Sequence, residues 1–246
     1  MESIKFKLLQ ARVENDPVRE RERNSFAVGL DVSPDQIETV DMLLGSDNYD
    51  SVTEGVHAVL VGGSGDFSVT KDLPWLPNFF KTLGDLAHHG FPTFASCFGF
   101  QGMVTALGGR VETDNDGLEV GSHFVEKLAS GHGDPLFNDL PDIFVVQQGH
   151  ADRAVELPEG VELLAQSKRC PYQAIKVNGA PVYATQFHPE LTAGENKRRF
   201  LQYFDHYIKA VGQEESERIL SSFQDSTESS FLLQRFKNLV AAQCLQ

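Results

Sequence analysis

The chain has 246 residues, of which 41% are hydrophobic, enough for one α/β domain with a sizeable core. Its formal net charge of -14 argues against a nucleic-acid or anionic membrane surface as a partner. The apolar runs are strand-length, so no transmembrane segment is expected, and Met1-Glu2-Ser3-Ile4-Lys5 opens no secretory signal. Three widely spaced cysteines, Cys97, Cys170 and Cys244, cannot all pair, which fits a reduced, cytoplasmic setting; Cys170 and Cys244 are assigned no role.

In chain order, residues 4–10 read as a first strand. Asp16-Pro17 reads as a helix N-cap with proline at the first helical position, and that helix runs to about Leu30. Its charged start, residues 18–23, is expected to be a solvated face rather than an active-site rim. Residues 37–41 alternate with period two, and the run 57–61 has the apolar character of a strand buried on both faces. It passes directly into Gly62-Gly63-Ser64-Gly65-Asp66-Phe67-Ser68. A helix over 75–89 follows, with Gly90 as its C-cap. A strand over 91–95 then leads into Ser96-Cys97-Phe98-Gly99-Phe100-Gln101-Gly102, and a helical pattern over 103–107 stops at Gly108-Gly109. This alternation predicts a largely parallel sheet covered by helices on both faces, with ligands beyond the carboxyl ends of its strands.

Residues 111–140 are polar and turn-rich, with short strands at 118–120 and 124–128. Further strands are expected at 143–147, 161–165, 174–177 and 182–186, the last two joined by the hairpin signal Asn178-Gly179. From Glu195 the pattern is helical. Phe200, Tyr203, Phe204 and Tyr207 form an apolar stripe read as core, and helices follow at about 214–223 and 229–242. The last of these belongs to the fold or docks a partner.

Cys97 stands at a strand-to-helix corner, where the free N–H groups and positive dipole end of the helix stabilise negative charge on the sulfur. A lone cysteine is more often a small buried hydrophobe, so the corner carries chemistry only if a base joins it. His188-Pro189-Glu190 supplies one: residues two apart in an extended segment share a side, and a carboxylate beside an imidazole sets its tautomer. Gly62-Gly63 after a buried strand, with Phe98 after the cysteine, offers N–H donors for an oxyanion. The same glycines could form a plain tight turn. A phosphate-cradling loop fits poorly, because the lysine and hydroxyl of such a loop are missing. His88-His89 and His123…His132 lack zinc-ligand spacing, and no metal is expected.

Gly62-Gly63-Ser64-Gly65, Cys97-Phe98-Gly99-Phe100-Gln101 and Gln186-Phe187-His188-Pro189-Glu190, standing in that order, resemble the class I (triad) glutamine amidotransferases. The likeness is greatest to the amidotransferase domain of guanosine-monophosphate synthase. The resemblance implies a flavodoxin-like three-layer α/β sandwich with a mainly parallel central sheet, a small antiparallel subsheet and extra C-terminal helices. Residues 1–210 would form the amidotransferase domain and 211–246 a helical extension packed on it. It implies Cys97 as nucleophile, His188 as base, Glu190 as its orienting acid, and Gly63 and Phe98 as oxyanion donors. Gln101 would help hold the substrate amino acid; His150 and Asp152 either contact substrate or are structural. No cofactor is implied.

Three functions remain open at this level. The first is hydrolysis of glutamine to glutamate and ammonia through a γ-glutamyl thioester, with a separate ammonia-accepting synthetase as partner. The second is hydrolysis of other γ-glutamyl peptides or amines by the same triad, acting alone. The third is a catalytically silent binding module.

Overall fold

The computed structural model describes residues 3–114 and 117–244, with the side chains of 206, 207 and 210 left out. Strand β1 (Phe6–Gln10) and helix α1 (Val18–Leu30) come first, followed by β2 (Ile37–Asp41), the short helix α2 (Tyr49–Thr53) and β3 (Ala58–Val61). Helix α3 (Leu76–His88), β4 (Thr93–Ser96) and α4 (Phe98–Ala106) complete the first half. Seven strands come next: β5 (Arg110–Thr113), β6 (Glu119–Lys127), β7 (Ile143–His150), β8 (Asp152–Glu156), β9 (Val161–Gln166), β10 (Ala174–Val177) and β11 (Val182–Thr185). The chain finishes in α5 (Ala193–Gln202), α6 (Phe204–Val211), α7 (Gln213–Ser222) and α8 (Thr227–Gln243).

Nine strands form one sheet in the order β2-β1-β3-β4-β11-β10-β9-β6-β7, and β5 pairs with β8 in a separate ribbon. From β2 to β11 the neighbours are parallel; from β11 to β7 they are antiparallel. Every residue of β1, β3, β4 and β11 is buried, and the apolar run read at 57–61 takes a central parallel place as β3. Side chains alternate between the two faces. Phe6, Leu8, Leu60, Phe94 and Tyr183 pack with α1 and α8, while Leu9, Val59, Val61 and Ala95 pack with α3 and α4. The result is a three-layer α/β sandwich, as expected.

The layer beside α1 is completed by α8, whose Leu232, Leu233 and Phe236 are fully buried. The Phe236 ring meets Phe94 at 5.5 Å and Tyr183 at 6.5 Å, both close to perpendicular. This helix is therefore wall rather than free docking surface.

Several boundaries differ from expectation. The two short strands at 118–120 and 124–128 are one nine-residue strand, β6, in unbroken register with β7. β7 continues to His150 because Gln147, Gln148 and His150 are buried despite their polarity, and β5, β8 and α2 had no sequence signal. At the helix start, Pro17 occupies the cap position, although Asp16 Oδ1 still accepts from the Val18 N–H at 2.8 Å. The stripe from Phe200 is not one core face: the helix breaks at Tyr203, which is 37% exposed, while Phe200 is buried and Phe204 packs beside it. The side chain of Tyr207 lies outside the described residues.

Truncating Phe236 removes a ring that touches two central strands. Phe236→Ala is expected to lower unfolding free energy by about 3–5 kcal/mol, measured by chemical denaturation. A loss under about 1 kcal/mol would show that α8 is dispensable to the core.

Candidate active site

Strands β4 and β11 lie side by side with Ser96 opposite Thr185. Cys97 follows the end of β4, and its N–H donates to the Thr185 carbonyl at 2.8 Å. Its backbone sits at φ 53°, ψ -102°, a region that side chains other than glycine occupy only under strain. Two contacts hold it there: Gln101 N–H donates to the Cys97 carbonyl at 3.0 Å, and Gly99 N–H donates to the Gly62 carbonyl at 3.2 Å. A Cβ on Gly99 would stand 2.8 Å from the Val61 carbonyl oxygen, so only glycine allows this approach. The turn sets Cys97 at the N-cap of α4, the arrangement of a nucleophile elbow.

His188 comes three residues after β11, and its N–H donates to the Gln147 carbonyl at 2.9 Å. Its ring is buried, with Nδ1 2.6 Å from Glu190 Oε1, and Cys97 lies close enough to interact with it electrostatically. Burial pushes this imidazole's pKa down, but the charges of Glu190 and Cys97 outweigh it and raise it to about 10. Burial likewise pushes Glu190 up, and the facing His188 overcomes that and holds its carboxyl below the usual range. The geometry is a sulfur–imidazole–carboxylate row.

Gly63 lies directly against this row. A Cβ there would stand 2.9 Å from His188 Cε1, so the loop can approach the ring only without a side chain. At the first position of α4, Phe98 has an N–H with no intrahelical acceptor. The glycine loop rests on a buried pair unmarked in the sequence. Arg12 donates to Glu22 through Nε at 3.1 Å and Nη2 at 2.9 Å, and to Asp16 through Nη1 at 3.1 Å.

Cys97, Phe98 and Gln101 line a cavity of about 250 Å³ together with residues 64–68 and 149–152. Gln101 Nε2 donates to the Asp152 carbonyl at 2.8 Å, tying the elbow to the segment opposite. Asp152 accepts from Thr113 Oγ1 at 2.5 Å and from Ser68 Oγ, so its carboxylate is engaged within the fold. The His150 ring is also anchored. Nδ1 lies 3.0 Å from the Asp152 carbonyl, and Nε2 stands 3.2 Å from Glu119 Oε2, an ion-pair distance off the hydrogen-bond direction.

Glu119 was not marked by any sequence signal. It also accepts from Gln173 Nε2 at 3.0 Å and Ser167 Oγ at 3.3 Å. Burial pushes its carboxyl up, and His150, His123 and Gln173 outweigh this and hold it low. Cys170 completes a group whose potential metal-ligand atoms lie within 4.8 Å of one another. Burial, then Glu119, pushes its thiol up to about 12, and the Glu119 oxygens already accept from protein donors. The group is thus a hydrogen-bonded cluster supporting His150 rather than an open set of metal ligands.

A second cavity, of about 300 Å³, lies on the His188 side of the glycine loop. It shares residues 64–66 and 149–151 with the first. Its far wall comes from α5, which starts at a reciprocal Thr192–Glu195 capping box and is pinned by Asn196 Nδ2 to Gln147 Oε1 and the Gln148 carbonyl, both at 3.1 Å. That places Arg199, Phe200 and Tyr203 on the cavity.

The profile of the family "Glutamine amidotransferase class-I" matches residues 20–208. Among curated proteins, GMP synthase (glutamine-hydrolyzing) from Thermosipho melanesiensis is 31% identical over 147 residues, which is 60% of this chain and 26% of that protein. The Staphylococcus carnosus protein of the same name is 36% identical over 115 residues, 47% of this chain and 21% of that one. The chain thus spans about a quarter of these relatives' length. Among solved structures, a glutamine amidotransferase from Thermotoga maritima superposes with a TM-score of 0.73 at 21% identity, covering 98% of this chain and 99% of that one. With the strained elbow, the buried imidazole–carboxylate pair and the glycine loop meeting on this sandwich, the chain belongs to the class I glutamine amidotransferase family.

Proposed function

We propose that the chain hydrolyses the side-chain amide of glutamine by thiol catalysis. The observation that carries this reading is the row of Cys97, His188 and Glu190 at the ends of two neighbouring parallel strands. The relatives' printed name, which specifies glutamine hydrolysis, supports glutamine as the amide donor.

The Cys97 sulfur attacks the side-chain carbonyl carbon, forming an S–C bond. The oxyanion is met by the N–H groups of Gly63 and Phe98. As the C–N bond breaks, His188 gives its proton to the nitrogen and ammonia departs. A water then attacks the γ-glutamyl thioester, passes a proton to His188, and releases glutamate with the sulfur restored. Glu190 holds the ring and stabilises its charged form. Gln101, His150 and Asp152 shape the glutamyl cavity. No cofactor enters. Ammonia passes to a separate synthetase, in a reduced cytoplasmic setting. Residues 1–210 serve as the amidotransferase domain and 211–246 as an extension completing its α1 side.

Mass spectrometry is expected to find a γ-glutamyl adduct on Cys97 after rapid quenching with glutamine. Cys97→Ala should abolish both adduct and glutamate release; glutamate release that survives this change would overturn the proposal.

The charged form of His188 is present below its raised pKa and lost as pH rises through about 10. The alkaline limb of kcat/KM is therefore expected near that pH. In Glu190→Gln the carboxylate that raises the imidazole is gone, so the limb should move down by about 1–3 pH units. An unmoved limb would mean that Glu190 does not set the charge state of His188.

A further inference from the structure

Glu190 has two buried oxygens and one hydrogen-bonded neighbour. Oε1 stands 2.6 Å from His188 Nδ1, while Oε2 has no hydrogen-bond partner among the described residues. A buried carboxylate stays ionised only where positive charge faces it. In the resting protein the His188 imidazolium supplies that charge. The proposed reaction takes it away. Once His188 has given its proton to the departing nitrogen, the ring is neutral and the sulfur is held in the thioester. Glu190 is then a buried anion beside an uncharged ring. If it takes up a proton there, it donates to Nδ1, the ring's own proton sits on the other nitrogen, and no lone pair is left to accept from water.

Arg199 brings a charge that the reaction does not consume. Asn196 pins α5 to Gln147 Oε1 and to the Gln148 carbonyl, and the Gln147 carbonyl in turn receives the His188 N–H. Arg199 lies three positions beyond Asn196, on the same face of the helix, and lines the 300 Å³ cavity together with His188. Its Nη2 is buried and, like Glu190 Oε2, has no hydrogen-bond partner among the described residues, so the link between them is one of charge. Burial pushes the Glu190 carboxyl up; His188 and then Arg199 pull it down. Of the other charged groups on this cavity, Arg12 is held by Glu22 and Asp16, His150 stands against Glu119, and Asp66 is exposed. A guanidinium keeps its proton throughout the working range.

We infer that Arg199 is a positioning residue for hydrolysis of the thioester: its fixed charge keeps Glu190 ionised while His188 is neutral, and so keeps His188 able to take the proton of the attacking water. The inference rests on the thiol mechanism proposed above and adds a fourth charged group to it. In the step concerned, the water oxygen bonds the γ-carbonyl carbon and its proton goes to His188. The C–S bond then breaks, and the sulfur keeps the electron pair as thiolate. Taking the guanidinium away makes the His188–Glu190 pair hold its extra proton more tightly, so hydrolysis slows on the acid side and recovers as pH rises.

The experiment is a single turnover: excess protein is mixed with glutamine, quenched at intervals, and the γ-glutamyl thioester on Cys97 is followed by mass spectrometry at a series of pH values. In Arg199→Gln the acid limb of thioester decay is expected to move up by about one pH unit, a roughly tenfold slowing below the limb. Thioester formation at neutral pH should stay nearly unchanged, and Arg199→Lys should return the limb towards its original place. The position of a limb on the pH axis is read from whatever fraction of a variant folds. A limb unmoved in Arg199→Gln would overturn the inference. So would equal displacement in Arg199→Lys, or formation slowed in step with decay at every pH, which marks a merely structural residue. Those results leave the thiol mechanism standing, because the thioester is still seen. Glutamate released by the unaltered protein with no thioester on Cys97 would instead bring down the mechanism, and this inference with it.

Discussion

The parallel pairing of β4 with β11 is the constraint on which the site depends. Because Ser96 faces Thr185, the residue after one strand and the segment after the other are carried to the same edge of the sheet. The bond from Cys97 N–H to the Thr185 carbonyl extends that ladder one step beyond the last paired residues. Sulfur and imidazole, 91 positions apart in sequence (188 minus 97), are thereby held by backbone pairing rather than by side-chain packing alone. A slip of one residue in this register would send alternate side chains to opposite faces and separate the two groups.

Around that edge the protein buries charge in pairs. Arg12 with Glu22 supports the glycine loop, Glu119 with His150 fixes the segment opposite, and His188 with Glu190 lies between them. Taking such groups out of water is costly, and a buried pair is weak evidence of extra stability. Its contribution here is direction. Glu22 on α1 and Glu119 on β6 tie their partners to regular elements, while His188 and Glu190 both lie in the segment between β11 and α5, held there by the bond of the His188 N–H to β7. The cost is met by the two apolar clusters above and below the sheet.

The parallel half of the fold is legible in the sequence where a strand buried on both faces is an unbroken apolar run, as β3 is; β1, β4 and β11 also bury Lys7, Gln10, Thr93, Ser96 and Thr185. The antiparallel half is much less so. β7 carries Gln147, Gln148 and His150 into a buried hydrogen-bonded network, and such residues read locally as a loop. Gly121, Ser122 and His123 interrupt the apolar pattern of β6 although its pairing continues through them. The meeting of Cys97, His188 and Glu190 was readable from motifs that each sit in one short stretch. Glu119 and Arg12 were not: each matters through a partner elsewhere in the sequence, and a lone charged residue looks the same on a solvated face as in a buried pair.

The backbone at Cys97 has one more consequence. A residue held at φ 53°, ψ -102° forgoes on the order of 1–3 kcal/mol relative to a relaxed one. Glycine at that position would relieve much of this and remove the reactive sulfur in the same stroke. Selection for thermal robustness and selection for turnover therefore pull on position 97 in opposite directions. A chain that drifts towards greater hardiness has an easy downhill route to losing its chemistry while keeping its shape.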